Sequence, residues 1–122
     1  MADLATVIVE RQGEVQVVRL AGEVDISNAD GLEDHISAAV PNDAAGLVLD
    51  LTDTDYLDSA GIRMLFELGA RLDGRRQLLG LVVPERSLIR HSLTIVEVEQ
   101  AMGVHDSLDE ALAALGSESA TD

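Results

Sequence analysis

The pattern of apolar and polar residues at the start of the chain predicts a β-hairpin. Residues 6–10 and 15–20 are rich in β-branched side chains, and Gln12-Gly13 between them supplies a turn that contains a residue tolerant of positive φ. Residues 22–25 then predict a loop rather than a third strand. The chain is therefore expected to open with two antiparallel strands.

After the hairpin, helical spacing alternates with strand-like runs. Ser27 or Asn28 can cap a first helix. Its apolar residues repeat at offsets of four, seven and eight positions and are Leu32, Ile36, Ala39 and Val40. Residues 47–51 form a near-continuous apolar run, which is typical of a parallel strand covered on both faces, and residues 77–83 predict another buried strand.

Two more helices follow from the positions of caps and breakers. The second helix is expected to begin around Ser59 and to end at residues 73–74. The third begins at Pro84, which suits a first helical turn, and its apolar residues are Leu88, Ile89 and Leu93. Residues 95–100 fit a helix, a turn or a strand, so the end of this helix stays open.

The last elements complete an α/β domain. A short strand at residues 103–105 precedes a helix that begins with a capping box, Ser107 with Glu110, and ends at Gly116. We expect one domain over residues 1–116, with a mixed sheet that starts with a hairpin and continues with parallel strands, packed with about four α-helices. Residues 117–122 are predicted to be a disordered tail.

Composition and charge exclude several classes of function. The 122 residues suit one domain, and the absence of Cys excludes disulfides, thiolate zinc sites and iron–sulfur clusters. The net charge is −15, and all eight basic residues are Arg. Such a polyanion with two aromatic rings is not expected to bind nucleic acid. No signal peptide or membrane-spanning run is present, which favours a cytoplasmic protein.

Most titratable residues predict no chemistry of their own. His35, His91 and His105 are dispersed and are read as surface residues. The carboxylates between strand 47–51 and the second helix lie at the edge where open α/β sheets place their sites; they are Asp50, Asp53, Asp55 and Asp58. No glycine-rich phosphate loop accompanies them, so we expect no dedicated metal site.

Ser59 stands where a loop meets a helix. By its residue type alone it is best read as an N-cap, in which the hydroxyl accepts a backbone N–H. A nucleophilic serine is the alternative, but the flanking residues lack the G-x-S-x-G elbow and no His is placed by sequence to act as a base. Hydrolase activity is not expected.

Three segments together resemble a known family. The Gly-Glu-Val-Asp loop at 22–25, strand 47–51 and the Tyr-Leu-Asp-Ser-Ala-Gly segment at 56–61 resemble STAS domains, and in particular bacterial anti-sigma-factor antagonists. The resemblance covers nearly the whole chain. The order and spacing of the two motifs make it more specific than the Asp-Ser-x-Gly element alone.

The resemblance implies a phosphorylation switch. In that family, the unphosphorylated antagonist binds an anti-sigma factor that is also a serine kinase, and the sigma factor is released. Phosphorylation abolishes the binding, and a phosphoserine phosphatase restores it. ATP and Mg²⁺ belong to the kinase, so the chain is implied to be a regulator without a cofactor and not an enzyme. By resemblance Ser59 is the phosphoacceptor, and the switch and partner-binding residues are Asp25, Asp58, Ser59, Ala60, Gly61 and Arg63.

Two positions depart from the family pattern inside the motif. Many members have Ser or Thr where this chain has Ala60, and a small residue where it has Arg63. Arg63 is read either as solvent-facing or as a contact to the phosphate or to an acidic residue of the partner. A third departure lies at residues 94–98, where relatives commonly have a Thr-Gly turn.

Two other functions compete with the antagonist. A STAS domain can be a subunit of a larger assembly, such as a stress-sensing scaffold or a lipid-transport ATPase complex, without a phosphorylation switch. A serine-dependent enzyme is the weakest of the three hypotheses.

Overall fold

A computed structural model describes residues 4–93, 98 and 102–120 of the chain. The strands are β1 Ala5–Gln12, β2 Val15–Val24, β3 Gly46–Asp50, β4 Thr54–Leu57, β5 Leu78–Val82 and β6 Gly103–His105. The α-helices are α1 Ala29–Ala38, α2 Ser59–Gly74 and α3 Leu108–Ala120, and a short 3-10 helix covers His91–Leu93.

The sheet confirms the predicted α/β class. Its strand order is β1-β2-β3-β5-β6, and β4 pairs with β2 beyond the end of β3. Only the β1–β2 hairpin is antiparallel among these pairs, and Gly13 adopts a φ of 64° in its turn. The other pairs are parallel, so β2, β3, β4, β5 and β6 all end at one edge of the sheet.

The helices cover both faces of the sheet. Successive residues of a strand face opposite sides. Accordingly Val18 belongs to the larger core cluster with Ile36 of α1 and Leu68 of α2, whereas Val17 packs in a second cluster with Ala111 of α3. No helix in the described part of the chain is long and apolar enough to span a bilayer.

The predicted loop at residues 22–24 is wrong, because these residues extend β2. They pair with β4, a short strand that lies within the segment expected to be an acidic loop. Gly22 makes the extension possible: its φ is 105°, and a Cβ there would lie 2.2 Å from the Leu4 carbonyl oxygen. The register of the β2–β4 pairing shifts between Gly22, which pairs with Thr54, and Glu23, which pairs with Tyr56.

The predicted third helix is also wrong for the residues that the structure describes. Residues 84–93 form turns and the 3-10 helix, because their amides bond three residues back, from Ser87 to Pro84 and from Arg90 to Ser87. Leu88, expected on the apolar face, is 74% exposed. Residues 94–97 and 99–101, which contain most of the segment left open, lie outside the described residues.

The last helix begins as predicted but ends later. The Glu110 amide donates to Ser107 Oγ at 3.2 Å, and the Glu110 carboxylate accepts from the Asp106 amide. The helix then continues beyond Gly116 to Ala120, so its predicted end is wrong and residues 117–120 are helical. A glycine in a helix costs only about 1 kcal/mol, and no proline follows it.

A charged seam joins α1 and α2. Arg71 of α2 contacts two residues of α1, with its Nε 2.8 Å from Glu33 Oε2 and its Nη2 2.9 Å from Asp34 Oδ1. Glu33 is only 5% exposed. Burial raises the pKa of Glu33 to about 7, its hydrogen bond with Glu67 adds to the rise, and Arg71 opposes it.

We expect Glu33→Gln to remove a pH dependence of stability. The folded chain keeps the Glu33 proton up to about pH 7, whereas the unfolded chain releases it near 4.5. Stability from this group is therefore full below pH 4.5 and is lost as the pH rises to about 7, by at most about 3 kcal/mol. Denaturant unfolding from pH 4.5 to 8 measures this effect. The free energy of unfolding of Glu33→Gln should rise relative to that of the wild type between pH 4.5 and about 7, and the difference between the two should stay constant above pH 7.

Glu14→Gln is the matched control, because Glu14 is exposed in the hairpin turn. Its free energy of unfolding should differ from that of the wild type by the same amount at every pH. If Glu33→Gln did the same, Glu33 would be ionised throughout and the seam would hold no proton.

Candidate functional site

The ends of β2 and β4 bring two separate motifs together. Val24 and Leu57 are register partners in these parallel strands, and the Asp58 amide donates to the Val24 carbonyl at 3.3 Å. The residues that follow each strand, Asp25 on one side and Asp58 with Ser59 on the other, therefore lie on neighbouring loops. This is the proximity that the family resemblance implies.

Asp25 is held by its own loop. Its carboxylate accepts hydrogen bonds from the Ser27 amide at 2.8 Å and from the Ser27 hydroxyl. These bonds to Ser27, first from the side chain and then from the backbone, lower the pKa of Asp25 below its ordinary value, so it is ionised at neutral pH. Asn28 completes the loop, because its side chain accepts from the Asp25 amide and donates to the Glu23 carbonyl.

The N-cap of α2 is Asp58, so the prediction that Ser59 caps the helix is wrong. The Asp58 carboxylate accepts from the amides of Ala60 at 2.9 Å and Gly61 at 3.1 Å. Ser59 is the first residue of α2 and is exposed. Within the described part of the chain its hydroxyl makes no hydrogen bond, and it is open to solvent.

Ala60 and Gly61 are buried beneath this exposed serine. Ala60 is 8% exposed, and a Cβ on Gly61 would lie 2.5 Å from Leu57 Cδ1 and 3.2 Å from Val24 Cγ1. Gly61 therefore lets the first turn of α2 pack directly on the ends of β2 and β4. These two residues offer little surface to a partner, and they set the position of Ser59.

Arg63 lies one helical turn beyond Ser59. Its side chain is 62% exposed, and its Nε is 3.9 Å from the Glu67 carboxylate. It thus points away from the core, as the solvent-facing reading expects. It is also one turn from Ser59 on the same face of α2.

More carboxylates surround the two loops. After β3, Asp50 accepts from the Thr52 amide and hydroxyl, which repeats the Asp25–Ser27 arrangement on the next strand. Asp53 and Asp55 are exposed in the connection to β4 and in β4 itself. This edge of the sheet is therefore strongly negative.

Exposed apolar side chains at the same edge were not identified from the sequence. Ile26, in the loop after β2, is 79% exposed, and Tyr56 of β4 is 49% exposed. Leu88, in the turns after β5, is 74% exposed. Exposed apolar patches that are rimmed by polar residues are typical of protein-binding surfaces. The isoleucine between Asp25 and Ser27 is the sequence signal that could have indicated this surface.

Comparisons with known proteins agree with the fold. A family model described as "STAS domain" matches residues 6–111. The chain is 28% identical over 110 residues to the anti-sigma-F factor antagonist RsfB of Mycobacterium tuberculosis, covering 90% of this chain and 88% of that protein.

Solved structures are similar over the same length. The crystal structure of an anti-sigma factor antagonist from Mycobacterium paratuberculosis has a TM-score of 0.80 at 28% identity, over 92% of this chain and 94% of that one. The phosphorylated form of SpoIIAA, described as a Bacillus cell fate determinant, has a TM-score of 0.65 at 19% identity, over 90% and 99% of the two chains. At that identity the likeness is one of fold.

We expect Gly61→Ala and Gly31→Ala to have opposite effects on stability. The new methyl group at residue 61 would press on Leu57 and Val24, which should cost about 1–3 kcal/mol. At residue 31, in α1, a Cβ would meet nothing within 4 Å, so alanine should stabilise the helix by up to about 1 kcal/mol. Urea unfolding of both variants measures the difference, and an unchanged or raised stability for Gly61→Ala would show that α2 does not depend on this close contact.

Proposed function

The chain belongs to the STAS domain family, and on that basis we propose that it is an anti-sigma-factor antagonist that is switched off by phosphorylation of Ser59. The observation that carries the proposal is the free, exposed hydroxyl of Ser59 at the start of α2, beside the Asp25 loop. Because Asp58 takes the capping role, Ser59 can be modified without loss of the helix cap. The two antagonists at 28% identity support the same assignment.

The partner would be an anti-sigma factor with serine kinase activity. The unphosphorylated chain binds it and so releases the sigma factor. The kinase transfers the terminal phosphoryl group of ATP to Ser59 Oγ, the hydroxyl proton is lost, and ADP leaves. A phosphoserine phosphatase later restores the hydroxyl. The chain itself contributes a substrate serine and a binding surface, so we assign it no enzymatic activity and, because the donor is ATP, a cytoplasmic location.

The docking surface combines carboxylates with exposed apolar side chains. Ile26 lies between the ionised Asp25 and Ser27, and it is the most exposed of the large apolar residues described at this edge. A partner with basic residues around an apolar depression would complement this arrangement. Ser59 lies on the neighbouring segment, at the start of α2.

A phosphate at Ser59 would change this surface locally. The start of a helix favours an anion by at most about 2 kcal/mol. Phosphoserine carries roughly −2 at neutral pH, and a carboxylate at about 6 Å would oppose it by roughly 1–5 kcal/mol before salt screening. Asp25, on the adjoining loop, and Asp58, at the cap of the same helix, are the carboxylates placed to act in this way. The phosphate is also bulky where the partner must approach. A loss of about 3 kcal/mol weakens binding a hundredfold, so no large conformational change is needed.

Incubation with the cognate anti-sigma factor kinase and ATP tests the modification. Mass spectrometry of the wild type should show one added phosphate, and Ser59→Ala should show none. A phosphate that persists in Ser59→Ala would place the modification on another residue and contradict the proposal. A wild type that acquires no phosphate but co-purifies with a transporter ATPase or a stress-sensing complex would instead favour a subunit of a larger assembly.

Calorimetric titration with the same anti-sigma factor tests the switch. Ser59→Asp should weaken docking at least about tenfold while the melting temperature changes little, because the side chain is exposed. Gln12→Glu is the matched control: it adds one negative charge at the opposite edge of the sheet, in the hairpin, and should bind like the wild type. Equal weakening by both variants would mean that net charge, rather than position 59, governs docking.

A further inference from the structure

One face of α2 carries polar side chains at every fourth position. Ser59, Arg63, Glu67 and Arg71 are all exposed and are spaced four residues apart. In an α-helix such residues stand one above the other, and neighbours in the series contact each other. Arg63 and Glu67 do so at 3.9 Å. We call this series the α2 stripe.

The C-terminal end of the α2 stripe, at Glu67 and Arg71, contacts α1 at the charged seam. One carboxylate oxygen from each of Asp30, Glu33 and Glu67 lies within 4.8 Å of the others. Asp34 completes the acidic groups facing the seam from α1, and Arg71 is the cation that contacts it from α2. Glu33 is 5% exposed, so it has little access to water. Carboxyl groups this close repel one another when ionised, so Glu67 adds to burial in raising the pKa of Glu33.

We propose that the α2 stripe is a relay that links the phosphorylation state of Ser59 to the uptake of a proton by the buried Glu33. The inference rests on the proposed function for the phosphate itself. A phosphate on Ser59 draws Arg63 away from Glu67. Glu67 then keeps Arg71 but loses Arg63 as a neighbouring cation, the negative potential at Glu33 becomes stronger, and Glu33 binds its proton more tightly.

The balance of charges favours this exchange. Phosphoserine offers Arg63 a charge of roughly −2 and three acceptor oxygens, against a single carboxylate in Glu67. The existing contact is weak, because it spans 3.9 Å and both side chains are more than half exposed. The proton comes from solvent, which reaches Glu33 from the side of the exposed Glu67.

Linkage makes the effect reciprocal. If phosphorylation raises the proton affinity of Glu33, protonation of Glu33 shifts the equilibrium between the two forms toward the phosphorylated one by the same, about twofold, factor.

Carboxyl ¹³C NMR titration of the full chain tests the relay, because it reports Glu33 and Glu67 separately from all other groups. Arg63→Ala should raise the midpoint of Glu33 by roughly 0.3 pH unit, and Ser59→Asp, which offers Arg63 a single carboxylate, should raise it in the same direction by less. The double variant should raise the midpoint no further than Arg63→Ala does alone, because Ser59→Asp acts by moving Arg63. Arg86→Ala, which removes an exposed Arg from the turns after β5, should leave the midpoint unchanged.

The outcomes separate this inference from the proposed function. An unchanged midpoint in Arg63→Ala would overturn the relay, and so would a Ser59→Asp shift that persists at full size in the Arg63→Ala background, because it would then act through space. No kinase is needed for the titration. A relay that is present in a chain that no kinase phosphorylates would overturn the proposed function and leave the coupling between the two positions standing.

Discussion

The site depends on the pairing of the last residues of β2 with β4. This pairing places the end of the Gly-Glu-Val-Asp segment beside the start of α2, although the two lie more than thirty positions apart in the sequence. It requires Gly22, because the chain passes so close to the Leu4 carbonyl that no side chain fits there. It also requires Gly61, where α2 packs on both strand ends. The two glycines act as spacers that let three pieces of backbone meet.

Local hydrogen bonds hold the carboxylates at this edge of the sheet in place. Asp25 is stabilised by Ser27, Asp50 by Thr52, and Asp58 by the first amides of α2. Each carboxylate is therefore satisfied by its own loop and needs no cation from elsewhere in the fold. The arrangement leaves the Ser59 hydroxyl at the start of a helix. A new anion there would be stabilised by the helix dipole and destabilised by repulsion from the neighbouring carboxylates. Such a position is sensitive to a single added charge.

The same helix carries both the candidate switch and Glu67, which contacts the buried Glu33 of α1. Burial of Glu33 is costly unless it is neutral or paired, and the structure supplies Arg71 as an ion-pair partner and a hydrogen bond with Glu67 that favours the neutral form. Because Glu33 releases its proton near pH 7 in the folded chain, the stability of the α1–α2 contact depends on pH, which that of an entirely apolar seam would not.

The sequence by itself determined the class of the fold and the location of the switch motif. Apolar spacing located the hairpin, β3, α2 and β5, since burial on a sheet face requires that spacing, and the 56–61 segment with the 22–25 loop indicated the family. It did not determine β4, the true cap of α2 or the turns that stand at residues 84–93 in place of the predicted third helix. Residues 54–57 hold two polar and two apolar side chains and become a strand only because β2 offers a free edge there. Asp58 and Ser59 are equally good caps by residue type, and the backbone direction at the end of β4 decides between them. The tertiary structure alone brought Glu33 to Glu67, because a contact between two helices depends on how both pack on the sheet.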